Sequence, residues 1–110
     1  MKDAHRIQVT QEKKQIDATF VVKKVTFLVE FKIAYQGNTK RAIREALGQI
    51  LEYDYYPPRA SHDRWLLILN SSPNDDDRAF LRLLVKAFRI PISIGWKTSR
   101  NFNFDPNLTF

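Results

Sequence analysis

Two carboxylates and an ammonium group stand at positions where a divalent cation and a phosphate could be held: Asp17, Glu30 and Lys32. Glu30 and Lys32 are two residues apart, so on an extended strand their side chains point the same way. The stretch joining them to Asp17 reads as a β-hairpin. Ile16, Ala18, Phe20 and Val22 alternate with Asp17, Thr19 and Val21. After Lys23-Lys24, Val25, Phe27, Val29, Phe31 and Ile33 alternate with Thr26, Leu28, Glu30 and Lys32. Period-two alternation on both sides of a short polar break is the strand signature. A turn centred on Lys23-Lys24 sets Ile16 opposite Phe31, Ala18 opposite Val29 and Phe20 opposite Phe27, giving one continuous apolar face. It also sets Asp17 opposite Glu30 on the other face, and a slip of one residue would bring Asp17 against an apolar neighbour.

Directly opposed residues have Cβ atoms roughly 4.5–5.5 Å apart, and like charges there repel. Two such carboxylates need a shared proton, a cationic side chain or a metal ion. Mg²⁺ takes oxygen ligands, commonly one or two carboxylates completed by water and substrate phosphate. The patch therefore has the donor chemistry of a metal site with a lysine beside it. The plainer alternative is a solvated sheet face, with Lys32 as a surface ion-pair partner.

The chain that must position this patch has 110 residues, enough for one domain (1–110) with its own core. Hydrophobic residues make up 44%, which argues against disorder. Cysteine is absent, which excludes disulfides, cysteine–zinc sites and thiol catalysis, and suits a reducing, cytoplasmic setting. The start of the sequence, MKDAHRIQV, has no apolar run of the signal-peptide kind. No apolar stretch approaches the roughly 20 residues of a membrane span. The net charge of +6 favours a polyanionic partner.

In chain order, Arg6 to Thr10 reads as a first short strand, followed by a polar turn over Gln11 to Lys14 and then the hairpin. Such short connections make an antiparallel meander. Gly37 marks a loop, and Asn38 or Thr39 caps a helix running to about Tyr55, with Ile43, Ala46, Leu47, Ile50 and Leu51 as its apolar stripe. Lys40, Arg41 and Arg44 put positive charge in its first turns, against the helix dipole. A phosphate there would offset the mismatch; a solvated basic face is the alternative. Gln49 and Tyr53, four apart, share one side of this helix at the edge of the stripe, where half-burial near the sheet is expected.

Past Pro57-Pro58, the consecutive Ser61, His62 and Asp63 read as loop residues, because a catalytic triad is assembled by the fold and not by adjacency. Trp65 to Leu69 is a continuous apolar run, which predicts a strand buried on both faces between helices. Ser72 or Asn74 then caps a second helix whose first-turn acids Asp75, Asp76 and Asp77 suit the dipole. Phe80, Leu81, Leu84, Val85 and Phe88 are its expected buried face, and Ile90-Pro91 stops it. Ile92 to Trp96 reads as a last strand, and Lys97 to Phe110 as an irregular, Phe-bearing tail. The order β-β-β-α-β-α-β describes an α/β sandwich on a mixed sheet.

With this hairpin, that order resembles the PD-(D/E)xK nuclease superfamily and its restriction-endonuclease-like fold. The likeness rests on Asp17 in QIDAT, Glu30 and Lys32 in LVEFK, and Gln49 and Tyr53 in REALGQILEY, the last pair similar to the QxxxY motif of RecB-type exonuclease-like branches. The resemblance implies that Asp17, Glu30 and the backbone carbonyl of Phe31 ligate Mg²⁺ or Mn²⁺, and that Lys32 orients or activates the attacking water. It implies that Gln49 and Tyr53 hold the site or contact DNA near the scissile phosphate, with Lys40, Arg41 and Arg44 contributing to nucleic-acid binding. The expected function is metal-dependent hydrolysis of DNA phosphodiester bonds. Members of the superfamily usually begin with a helix of which most is lacking here, so a homodimer or a partner supplying that helix is also expected. A non-catalytic nucleic-acid-binding or assembly module on the same fold is the alternative. A protein-binding subunit using the tail from Phe102 to Phe110 is a third possibility.

Overall fold

The computed structural model describes residues 18–59 and 61–106. The expected strand at Arg6 to Thr10, the turn after it and Asp17 lie outside these residues.

The described chain begins with the hairpin. Strand β1 (Ala18–Val22) and strand β2 (Val25–Lys32) pair antiparallel with Ala18 opposite Val29, Phe20 opposite Phe27 and Val22 opposite Val25. This is the register expected from the alternation. The Phe20 and Phe27 rings stack at 4.7 Å between centroids. The two-residue turn is Lys23-Lys24, both with positive φ (50° and 69°). That backbone is the hairpin turn whose twist matches the strands, and it is ordinarily given to Asn-Gly.

Helix α1 (Thr39–Tyr55) starts where the Asn38 side chain accepts a hydrogen bond from the Arg41 N–H. Its small and branched residues Ala42, Ile43, Ala46 and Ile50 are buried. Strand β3 (Arg64–Leu69) follows and pairs parallel to β2. Helix α2 (Asp75–Phe88) opens with a reciprocal capping box between Asn74 and Asp77. It closes on Arg89 in the left-handed conformation, whose N–H returns to Leu84 and Val85 carbonyls. Strand β4 (Ile92–Lys97) pairs parallel to β3, and strand β5 (Phe102–Phe104) turns back antiparallel to it. The result is an α/β fold with a five-stranded mixed sheet in the order β1-β2-β3-β4-β5.

Both parallel crossovers, β2-α1-β3 and β3-α2-β4, progress the same way across the sheet. Right-handed connections then place both helices over one face. In parallel register Leu28, Trp65 and Ile92 share that face, as do Glu30, Leu67 and Ile94, and Lys32, Leu69 and Trp96. The core forms there, between these strand residues, the stripe of α1 and Leu81 of α2.

The structure corrects three expectations. Strand β3 is not buried between helices: Trp65, Leu67 and Leu69 are buried under α1 and α2, whereas Leu66 and Ile68 on the opposite face are half-buried. The hairpin face of Phe27, Val29, Phe31 and Ile33 lies on the side opposite the helices, and Phe31 and Ile33 are exposed. Phe80 and Phe88 are also exposed, because only Leu81, with Leu84 and Val85 beside it, packs against the core. Part of the C-terminal tail is ordered as β5. Asp105 pins it: this fully buried carboxylate accepts from Arg78 Nε at 3.1 Å and Arg82 Nη2 at 3.0 Å. Gly95 permits the close approach of β5, since a Cβ there would stand 2.7 Å from the Phe104 ring.

Candidate active site

Glu30 and Lys32 lie near the C-terminal end of β2 on the helix-covered face, beneath α1. Glu30 is 4% exposed, an unusual depth for a carboxylate. Lys32 reaches up to the helix, where its Nζ donates to Gln49 Oε1 at 2.9 Å. Gln49 stands one helical turn after Glu45, whose Oε1 is 3.9 Å from the same ammonium. Glu45 also accepts from Arg41 Nε at 3.0 Å. That hydrogen bond from Arg41 is the main reason its carboxyl is held below the usual range, with the Arg41 and Lys32 charges adding to it.

The structure thus brings Lys32, Gln49, Glu45 and Arg41 into one chain of contacts beside Glu30. The sequence motif selected Lys32 and Gln49 but not the Glu45 carboxylate between Lys32 and Arg41. Its spacing to Arg41, i and i+4 on a helix, was the available signal. Tyr53, one turn beyond Gln49, is half-buried against the core, with its ring 5.8 Å from that of His62. Lys40, Arg41 and Arg44 are exposed at the start of α1. Arg41 is engaged by Glu45, whereas Lys40 and Arg44 meet no carboxylate within ion-pair distance among the described residues.

Asp17 falls one residue before the first described pair, Ala18 with Val29, so its expected place opposite Glu30 lies outside the described residues. Among those residues no group of three or more His, Asp or Glu could hold a metal ion. What the described site offers a cation is oxygen chemistry: the Glu30 carboxylate and the Phe31 carbonyl next to it in the chain. One or two carboxylates with water and phosphate suffice for Mg²⁺, so the donor types fit a hard divalent ion.

A second polar cluster was not legible from the motifs. Asp54, near the end of α1, is 2% exposed. Its Oδ2 accepts from Trp65 Nε1 at 2.7 Å and from the His62 backbone N–H at 3.1 Å, and its Oδ1 lies 2.8 Å from His62 Nδ1. An acid embedded in the sequence EYDYYPP was the only hint. His62 is a loop residue, as expected, but one bound into this cluster. Asp77 likewise does more than complement a dipole: it is buried and accepts from Thr39 Oγ1, joining the two helix starts. Asp63, adjacent to His62, accepts from the backbone and hydroxyl of Thr26, and these bonds hold its carboxyl below the ordinary value.

No family model, curated protein or solved structure matches this chain. No helix among the described residues is long and apolar enough to cross a membrane.

Proposed function

We propose that this chain is a metal-dependent deoxyribonuclease of the PD-(D/E)xK type, with a restriction-endonuclease-like fold and its catalytic centre at Glu30, Lys32 and Gln49. One observation carries the reading. The lysine of the strand motif and the glutamine of the helix motif, selected separately from the sequence, are hydrogen-bonded to each other at 2.9 Å.

The arrangement suits phosphodiester hydrolysis. Bound Mg²⁺ or Mn²⁺ would supply charge stabilisation and lower the pKa of a bound water. Glu30 and the Phe31 carbonyl, with Asp17, are the residues that would hold it. The Lys32 ammonium supplies positive charge for the oxygens of the phosphate as negative charge grows on them. Gln49 has only its carbonyl oxygen to offer an ammonium, so it fixes Lys32 without neutralising it. Glu45 and Arg41 set the potential around that ammonium. Tyr53 braces the same side of α1, and Lys40 and Arg44 offer cations to the DNA backbone.

A second reading is a nucleic-acid-binding or assembly module on the same fold without cleavage. The near-complete burial of Glu30 favours it, since a carboxylate so enclosed leaves little room for metal-bound water. The test is a cleavage assay on linear and circular DNA with Mg²⁺, Mn²⁺ or EDTA, with Lys32→Ala in parallel. Cleavage that requires metal and is lost in the variant supports the nuclease. DNA binding with no cleavage under any metal condition replaces it with the binding module.

A further inference from the structure

The C-terminal ends of β2, β3 and β4 and the adjoining β5 surround an open groove of about 610 Å³. Phe31, Ile68 and Phe102 give it apolar walls, Lys97 gives it charge, Lys32 borders it with its ammonium held by Gln49, and Asn70 stands at the end of β3. It carries no acidic side chain among the described residues. Phe31 and Phe102 are 52% and 54% exposed. Lys97 is exposed and has no ion-pair partner among the described residues, and it continues into a smaller hollow with Asn70, Thr98 and Ser99. Asn70 Oδ1 accepts from the Ala34 N–H at 2.7 Å. Its amide nitrogen is thereby the end left to donate to a ligand.

Cations without acids select an anion, and exposed rings beside them select a flat π-surface. β2 and β5 are three strand intervals apart, so Phe31 and Phe102 are separated by about 14 Å at the usual strand spacing, enough to receive separate bases. A duplex keeps its base faces in its own stack. An acidic peptide would satisfy the lysines but offers no regular series of π-faces. An unpaired strand supplies phosphates and bases together, and stacking on aromatic side chains is how such strands are ordinarily held.

We propose that this groove binds single-stranded nucleic acid, with bases on Phe31 and Phe102 and the phosphate backbone on Lys97, and leads the strand to Lys32. Delivery to Lys32 rests on the nuclease reading; binding in the groove does not.

The test is a fluorescence-anisotropy titration of the full chain with labelled oligothymidylate and with a duplex of equal length, in EDTA. The single strand is expected to bind more tightly. Phe102→Ala is expected to weaken it by about 10-fold, within the range for one lost stacking partner, and Phe102→Tyr to retain binding. Lys97→Ala is expected to flatten the dependence of log K on log salt by about 0.7, one phosphate contact on a single strand. Circular dichroism checks that the variants fold, which the exposure of both side chains favours. Equal affinity for duplex, unchanged binding by Phe102→Ala, or loss with Phe102→Tyr would each overturn the proposal. So would capture of a polyglutamate peptide with no binding of oligothymidylate, which would make the groove a protein-docking surface. EDTA separates the two readings: binding through the groove by a chain that never cleaves sinks the nuclease alone. Metal-dependent cleavage with unchanged binding by Phe102→Ala sinks the groove alone.

Discussion

Two polar clusters flank helix α1, and they are built in opposite ways. At its C-terminal end the Asp54 carboxylate is closed in by three donors, Trp65 Nε1 and the backbone and ring of His62. Nearer its start the Lys32 ammonium, 20% exposed, has among the described residues one hydrogen bond, to Gln49, and one carboxylate at 3.9 Å. An ammonium carries three donors, so among the described residues Lys32 retains donor capacity, whereas three donors enclose Asp54. A buried charge saturated by its own protein ties elements together. One that is undersaturated, beside an open groove, is equipped to meet a ligand. The comparison therefore assigns stability to the first cluster and, on the proposed nuclease reading, chemistry to the second.

Substitutions that separate those two roles test it. The largest expected effect on activity is at Lys32. On the proposed nuclease reading, Lys32→Ala should lower DNA cleavage by about 100-fold or more, the scale for removing one preorganised charge-stabilising donor. Its urea-unfolding midpoint should stay close to that of the parent, because the group is partly solvated. Asp54→Ala should do the reverse. It strands the Trp65 indole N–H and the His62 donors, and unsatisfied buried groups cost about 1–3 kcal/mol each. A loss of about 3 kcal/mol in urea unfolding followed by tryptophan fluorescence is expected, with a much smaller change in cleavage per folded molecule. A large activity loss in Asp54→Ala at unchanged stability would reverse the assignment.

Asp105 provides a second instance of the saturated kind, between Arg78 and Arg82. Because both arginines are partly exposed, at 25% and 40%, removing the acid leaves them able to hydrate. Asp105→Ala should therefore cost about 2 kcal/mol, toward the lower part of the range for charge-assisted hydrogen bonds. Hydrogen exchange should show the loss concentrated in β5. Protection of β5 amides equal to that of the parent would mean that the arginine clamp does not hold the strand.

How much of this was readable beforehand depends on the range of the interaction. The hairpin register followed from residues adjacent in sequence, and Ala18 does stand opposite Val29. Asn38 caps α1, and Asn74 caps α2, for equally local reasons. Residue types gave Lys32 and Gln49, but their contact needed the fold. The Asp54–Trp65 and Asp105–Arg82 contacts join elements whose proximity no periodicity encodes. Strand β5 spans only Phe102–Phe104, too short to show alternation, and depends on Gly95 and Asp105. The apolar run of β3 misled about layering because half-buried Leu66 and Ile68 look the same in sequence as fully buried residues.

A smaller effect is expected at the hairpin turn, far from either cluster. Lys24 holds φ at 69°, where a side chain clashes with its own backbone and glycine does not. Lys24→Gly should raise stability by about 1 kcal/mol, the scale of the left-handed penalty, with cleavage unchanged. A lower melting temperature would show that the loss of chain stiffness outweighs the relief.

The smallest effect tests whether an exposed acid belongs with either cluster. Asp63 accepts from Thr26, which lowers its carboxyl pKa below 3.8 in the folded chain. A group with a depressed folded pKa stabilises the fold above its unfolded pKa, and that contribution fades as pH falls through the folded value. Asp63→Asn should therefore melt slightly below the parent at pH 7, and the difference should close as the solution is acidified below 3.8. A gap that persists unchanged in acid would mean that the Thr26 contact depends on shape and not on charge. Asp63 would then be a spacer between β2 and β3, unlike either Asp54, whose carboxylate three donors enclose, or Lys32, whose ammonium is held by Gln49 of α1.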